Sequence, residues 1–219
     1  MAKLVNPLIP KDHCADDTFS FLKDIRRIES RESYMVSYDV TSLFTNIPLD
    51  ETIGMAVDLV FENHPQIKIS KKELRELFLF ATSQSHFLFD GNFYDQIDSV
   101  AMGSPLGPVL ANLFMAIKEK EWLNNCDSAP VFYRRYVDDI FCLVKNESEA
   151  NSFLLYLNGK HPNIKFTIEH EKDKKLPFLD ILISFKNGRF ETSVYRKDTF
   201  SGLFMNSRSF FYQKSINWG

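Results

Sequence analysis

Cysteine is scarce in this chain. Cys14, Cys126 and Cys142 are the whole supply, an odd number with no Cys-x-x-Cys pair. That excludes a disulfide scaffold and a cysteine zinc site, and it predicts a reducing compartment. Glycine (8) and proline (9) are too few for a disordered or fibrous chain of 219 residues. No apolar run reaches the roughly 18 residues that a membrane helix needs, and no signal-peptide pattern opens the sequence. The expectation is a soluble protein inside the cell, with no membrane partner. A basic excess is also missing: the net charge is −3 and the isoelectric point about 6.0. That argues against a dedicated nucleic-acid-binding module. There is no glycine-rich phosphate loop or dinucleotide fingerprint, and no internal repeat or low-complexity segment. The five histidines have no metal-ligand spacing, and no Ser/His/Asp or Cys/His triad is suggested.

What is present is an ordinary globular balance, 44% hydrophobic and 25% charged, with phenylalanine unusually common at 21 copies. One aromatic-rich core is the simplest division of this length. Charge is uneven. Residues 1–100 carry a net of −6 and residues 160–197 a net of +4, so a polyanion would meet the C-terminal part first.

Periodicity predicts a helix from Asp16 or Asp17 to about Ile28, with Phe19, Leu22, Ile25 and Ile28 at helical spacing. A strand over 34–40 follows, then a helix over 49–62 with Ile53, Ala56, Val57 and Val60 on one face. Ser70 and Glu73 form a capping-box pattern ahead of a helix whose apolar face uses Leu74, Leu77, Phe78 and Ala81. Asp90-Gly91 marks a hairpin. Residues 100–108 read as a loop feeding a helix over 109–124, with Pro108 in its first turn. Further strands flank Asp138-Asp139, and a helix covers 147–157. Residues 164–169, 176–183 and 190–195 read as strands, the last two joined through Asn187-Gly188. Mixed helices and strands without regular βα alternation predict an α+β fold, a largely antiparallel sheet with helices on one face.

The stretch Tyr136-Val137-Asp138-Asp139 lies between the apolar runs Val131-Phe132-Tyr133 and Ile140-Phe141-Cys142-Leu143-Val144. Both flanks read as strands, so the aspartates fall at a hairpin turn. Two carboxylates beside a hydrophobic sheet repel each other and resist desolvation unless a cation compensates them. Oxygen-only ligands suit magnesium. A solvated turn is the bland reading of the same pair. Asp39, at the end of strand 34–40, supplies a third carboxylate if the two segments are neighbours in one sheet. Three carboxylates at a sheet edge suit a two-metal site, with ions about 3.5–4 Å apart, for phosphoryl transfer. Such chemistry is mostly positioning and charge neutralisation and needs no nucleophilic side chain.

Other candidates each have two readings. The loop holding Gly103, Ser104 and Pro105 exposes backbone N–H groups ahead of a helix, which suits an anion or a flat ligand, or it is a plain tight connection. Phe44 is a core aromatic or the floor of a sugar pocket. Arg134, Arg135, Lys172, Lys174 and Lys175 contact phosphates or lie on solvated connections.

Taken in order, the motifs resemble those of reverse transcriptases. Tyr38-Asp39-Val40-Thr41-Ser42-Leu43-Phe44-Thr45-Asn46-Ile47-Pro48 is similar to the first catalytic motif. Ala101-Met102-Gly103-Ser104-Pro105-Leu106-Gly107-Pro108-Val109-Leu110-Ala111-Asn112-Leu113-Phe114-Met115 is similar to the next. Tyr136-Val137-Asp138-Asp139 resembles the third, and Leu176-Pro177-Phe178-Leu179-Asp180 a following signature. The wording is similar to that of Penelope-like retroelements, a group related to telomerase reverse transcriptase, and the resemblance covers about residues 1–200. It departs at Met102, where many relatives carry Gln, and at Gly107, where Ser is frequent.

The resemblance implies a right-hand polymerase palm over 34–200, partial fingers over 1–33, and no assignment for 201–219. It implies an RNA-directed DNA polymerase of a retroelement. Asp39, Asp138, Asp139 and the Val40 carbonyl would serve two Mg2+ (or Mn2+) ions. Phe44, Gly103, Ser104, Pro105 and Tyr136 would meet nucleotide, template or primer end. The partners would be an RNA template, a DNA primer and deoxynucleoside triphosphates, and the location the nucleus. The short stretch before Asp39 predicts a palm-centred fragment, and a catalytically inert palm remnant that binds nucleic acid or a protein is the alternative. The leaving-group proton donor is left open among Lys172, Lys174 and Lys175.

Overall fold

The strand predicted over 34–40 is the one against which the rest of the chain is laid. A computed structural model describes residues 1–28, 33–83, 86–95, 100, 104–197 and 199. The chain opens with α1 (Ala2–Val5), a 3-10 turn and α2 (Thr18–Arg26), followed by β1 (Tyr34–Val40) and the single turn α3 (Leu43–Asn46). Then come α4 (Leu49–Asn63), α5 (Lys71–Ser83), β2 (His86–Phe89), β3 (Asn92–Asp95) and α6 (Gly107–Asn124). The hairpin β4 (Phe132–Tyr136) and β5 (Asp139–Val144) precedes α7 (Glu147–Asn158) and β6 (Phe166–His170). A meander of β7 (Lys175–Phe178), β8 (Ile181–Lys186) and β9 (Arg189–Val194) closes the described chain.

The main sheet is antiparallel in the order β4-β5-β1-β6. Because side chains alternate across a strand, β1 presents Val36, Tyr38 and Val40 to one face and Met35, Ser37 and Asp39 to the other. The first face packs with Ile140, Cys142 and Val144 against Val60 and Ile53 of α4, Leu110 and Phe114 of α6, and Phe153 of α7. Tyr38 is buried there and satisfies its hydroxyl by donating to the Ala150 carbonyl at 2.9 Å.

The second face is covered too, which the pattern of helices did not anticipate. Phe21 and Ile25 of α2, with Leu176, Phe178 and Ile183 of the meander, close over Met35, Phe141 and Leu143. Phe21 lies within 4.8–6.3 Å of the rings of Phe132, Phe141 and Phe178. A strand covered on both sides carries a continuous apolar run, and all five residues of β5 after Asp139 are buried.

Capping follows the sequence closely. The Asp17 carboxylate accepts from the Ser20 amide and caps α2. Ser70 and Glu73 bond reciprocally before α5. Asp90-Gly91 and Asn187-Gly188 take the positive φ their tight turns require. Three details differ. Phe19 is 73% exposed, and Phe21, four residues before Ile25, is the buried partner on α2. On α5 the buried stripe is Leu74, Phe78 and Thr82, while Leu77 and Ala81 face solvent. The strand predicted over 176–183 is two strands, broken by Leu179 and Asp180 in left-handed backbone at φ 48° and 61°.

Candidate active site

Asp39 and Asp139 occupy directly facing positions of β1 and β5. The Val40 amide donates to the Asp138 carbonyl at 3.0 Å. That bond makes Val40 and Asp138 a hydrogen-bonded pair and Asp39 and Asp139 the adjacent non-hydrogen-bonded pair, in which facing side chains approach most closely. Asp138 lies on the two-residue turn between β4 and β5. The three carboxylates expected from the sequence are therefore brought to one end of one sheet.

Like charges directly opposite destabilise a sheet. Asp39 is held above the ordinary aspartate range by loss of solvent and then by the Asp138 charge. Asp139 is raised by loss of solvent, then by Asp138 and Asp39, with Lys197 pulling the other way. Asp39 and Asp139 keep exposed surface and Asp138 is half-buried, so the group is open to solution. Hard, like-charged carboxylate oxygens fit a divalent ion in kind, and magnesium in particular retains several waters and needs only one or two protein carboxylates. Among the described residues no three His, Cys, Asp or Glu side chains are already drawn into a ligand set. The fit rests on the facing pair and the adjoining turn.

The turn is unusual. Val137 sits at φ 56°, a left-handed conformation disfavoured for a β-branched residue. Strained residues of this kind cluster at functional sites. Tyr136 is 37% exposed at the end of β4, facing Asp139 across the hairpin. Phe44 is half-buried on α3, packed at the edge of the core. Its carbonyl accepts from the Val100 amide at 3.1 Å, tying Val100 to the segment that follows Asp39. The Ser104 hydroxyl accepts from the Leu106 amide at 3.3 Å, and the Ser104 carbonyl accepts from Gly107 at 3.0 Å. Pro105 is exposed at that turn, which launches α6. Gly103 falls outside the described residues.

Of their two readings, the basic candidates do not take the phosphate-contacting one. Arg135 is 1% exposed and ion-paired with Glu119 of α6 at 2.7 Å. Arg134 pairs with Asp24 of α2 at 2.8 Å. Both are committed inside the protein and do not present themselves to phosphates. Lys172, Lys174 and Lys175 follow β6 beside Met35, where Glu171 bonds the Met35 backbone. Met35 is four residues from Asp39, about 14 Å along a strand, so these lysines sit at the far end of the sheet. Lys197, just past β9, is the cation that acts on Asp139. Sequence reading missed it because only the meander's return over the sheet brings it there.

This architecture, an antiparallel sheet with carboxylates at a strand end and a facing hairpin, is that of palm-type polymerases. Truncated apo telomerase from Candida tropicalis matches with a TM-score of 0.60 at 14% identity, over 87% of this chain and 44% of that one. Candida albicans telomerase, solved with a TWJ fragment of telomeric RNA, gives 0.63 at 12% identity over 87% and 38%. An RNA-dependent RNA polymerase gives 0.57 at 13% identity over 86% and 19%. At such identities the likeness is one of fold, and this chain spans less than half of each. No curated protein matches the sequence. The family model described as reverse transcriptase (RNA-dependent DNA polymerase) matches residues 2–197, and the chain belongs to that family.

Proposed function

We propose that this chain carries the catalytic centre of an RNA-directed DNA polymerase, of the Penelope-like retroelement type. The observation that carries the reading is the direct facing of Asp39 and Asp139 with Asp138 on the adjoining turn. Like charges set against one another in a fold are otherwise a cost with no return. Asp39, Asp138 and the Val40 carbonyl would hold the ions, with Asp139 in support. Two Mg2+ (or Mn2+) ions, when bound, neutralise phosphate charge and activate the attacking hydroxyl.

The chain's own residues orient the reactants. The primer 3′-oxygen attacks the α-phosphorus of a deoxynucleoside triphosphate in line. The bond to the β-phosphate bridging oxygen breaks, and pyrophosphate leaves. Phe44 faces the incoming sugar and excludes a 2′-hydroxyl. Ser104 and Pro105, in one motif with Gly103, lie against the template and nascent pair, and Tyr136 flanks the primer end. Residues 34–200 act as the palm and 1–33 as the adjoining part of the fingers. An RNA template and a DNA primer are the partners in this reading, and the nucleus its location.

The test is extension of a DNA primer on an RNA template with Mg2+ or Mn2+, comparing the natural chain with Asp138→Asn. Metal-dependent addition that the substitution removes is expected. Extension equal in the two proteins contradicts the reading. Nucleic-acid binding with no extension, unchanged by Asp138→Asn, supports an inert palm remnant instead.

A further inference from the structure

The β4–β5 turn is held from below by a buried network that the proposed chemistry does not use. Arg135 points from β4 into the core and spends four of its five N–H donors. Nε donates to Glu119 Oε1 at 2.7 Å, and one terminal nitrogen donates to the Val137 carbonyl at 2.9 Å. The other donates to Asn112 Oδ1 at 3.0 Å and to Cys14 Sγ at 3.3 Å. The Arg135 backbone is fixed as well, its amide donating to the His13 carbonyl and its carbonyl accepting from Ala15, each at 2.8 Å. Tyr133 donates to the same Glu119 oxygen at 2.5 Å, while Glu119 Oε2 is buried with no hydrogen-bond partner among the described residues.

We infer that Arg135 is a positioning residue for Asp138: its guanidinium clamps the Val137 carbonyl and sets the Asp138 carboxylate against Asp39. This rests on the polymerase reading above. The Val137 carbonyl belongs to the peptide unit that leads into Asp138. The Asp138 carbonyl, on the other side, accepts from the Val40 amide next to Asp39. Both peptide units flanking Asp138 are thus tied down, one to Arg135 and one to β1, and only the side chain remains free to move. Val137 needs such a hold because its φ of 56° is a conformation a valine leaves when it can. Glu119 and Asn112 both lie on α6, which begins just after the Ser104-Pro105 turn. The same guanidinium therefore fixes the carboxylate turn relative to the helix that follows the template loop. A lysine can meet Glu119 as a point charge but cannot fork to the Val137 carbonyl as well.

The test compares Arg135→Lys with the natural chain, in the presence and absence of Asp138→Asn. Folding is checked by circular dichroism and melting, and Mn2+ affinity by electron paramagnetic resonance without nucleic acid. Groups that orient metal ligands from behind cost about 10–100-fold when changed. A loss of Mn2+ affinity of about 10-fold is expected, with a similar rise in the Mg2+ needed for half-maximal extension and little change in KM for the nucleotide. In the Asp138→Asn background the same substitution is expected to change Mn2+ affinity less than about twofold, since the group it positions is gone. A folded Arg135→Lys protein with natural affinity, or an equal loss in both backgrounds, overturns the inference. Equal Mn2+ binding by the natural chain and Asp138→Asn alone overturns the polymerase reading and the inference with it. Should Arg135→Lys not fold, Glu119→Gln, which keeps the side-chain shape and loosens only the guanidinium's anchor, takes its place. An affinity loss confined to the Asp138 background is expected there, and none overturns the inference.

Discussion

Two charged clusters meet at the same hairpin and are built on opposite terms. On the outer side of β4–β5, Asp39, Asp138 and Asp139 bring like charges together at a solvent-facing strand end. On the inner side, Arg135, Glu119, Tyr133 and Asn112 bring opposite charges and matched donors together where water is excluded. The inner cluster is nearly complete in itself. In the outer one, Lys197 offsets part of the charge among the described residues, and a cation from solution can meet the rest. The fold satisfies its buried arginine and leaves three carboxylates opposed, and the proposed metal site is what that second arrangement would serve.

That contrast can be broken from either side. The largest effect expected is on the inner cluster. Arg135→Met leaves Glu119 buried without its ion-pair partner, a loss of about 3–5 kcal/mol, read by denaturant unfolding. Replacing both members, Arg135→Met with Glu119→Met, recovers most of that stability, while extension stays impaired because the Val137 carbonyl is still unclamped. On the outer side, Asp39→Asn removes a group that on the proposed mechanism acts in the transition state, and it is expected to lower the single-nucleotide addition rate about 10²–10³-fold, measured at saturating nucleotide, with folding intact.

The smallest effect has the opposite sign and is the more telling one. Asp139→Asn relieves a facing like-charge pair, so without divalent metal it is expected to stabilise the protein by about 0.2–1 kcal/mol. The melting temperature then rises by no more than about 4 °C, while activity falls. The pH dependence follows from the raised carboxyls of Asp39 and Asp139. A folded-state pKa above the unfolded value means that the native state binds protons more readily, so stability from these groups is greatest below the ordinary aspartate range, near 4. It is lost as pH rises through their elevated values. Melting followed from acid to neutral pH is expected to show that loss in the natural chain and less of it in Asp139→Asn.

Much of this was legible in the sequence, for identifiable reasons. The alternation Tyr-Met-Val-Ser-Tyr-Asp-Val fixed β1 and put Asp39 at its end. Asp-Gly and Asn-Gly marked two turns because only certain residues accept their backbone. The turn at Leu179-Asp180 was not legible, since leucine does not favour a positive φ and no glycine follows Asp180. On α2, apolar residues occupy two faces, and only the sheet decides that Phe21 is covered and Phe19 is not. Arg135 reads as a surface or phosphate-binding residue until α6 supplies Glu119, sixteen residues earlier in the chain. Lys197 could not be found, because nothing local to it points back to Asp139. Contacts dictated by local backbone preference were readable; among contacts between distant segments, the meeting of Asp39 with Asp138 and Asp139 was expected from the motifs, while those of Arg135 and Lys197 were not.

The most direct test of the account is the melting temperature of the natural chain with Mg2+ and with chelator, at matched ionic strength, beside that of Asp39→Asn and Asp138→Asn. If the opposed carboxylates are a cation site, Mg2+ raises the natural chain's melting temperature, increasingly with concentration as binding linkage requires, and raises that of either variant much less. An equal rise in all three proteins, or none in the natural chain, contradicts the claim that the strand-end carboxylates are completed by metal.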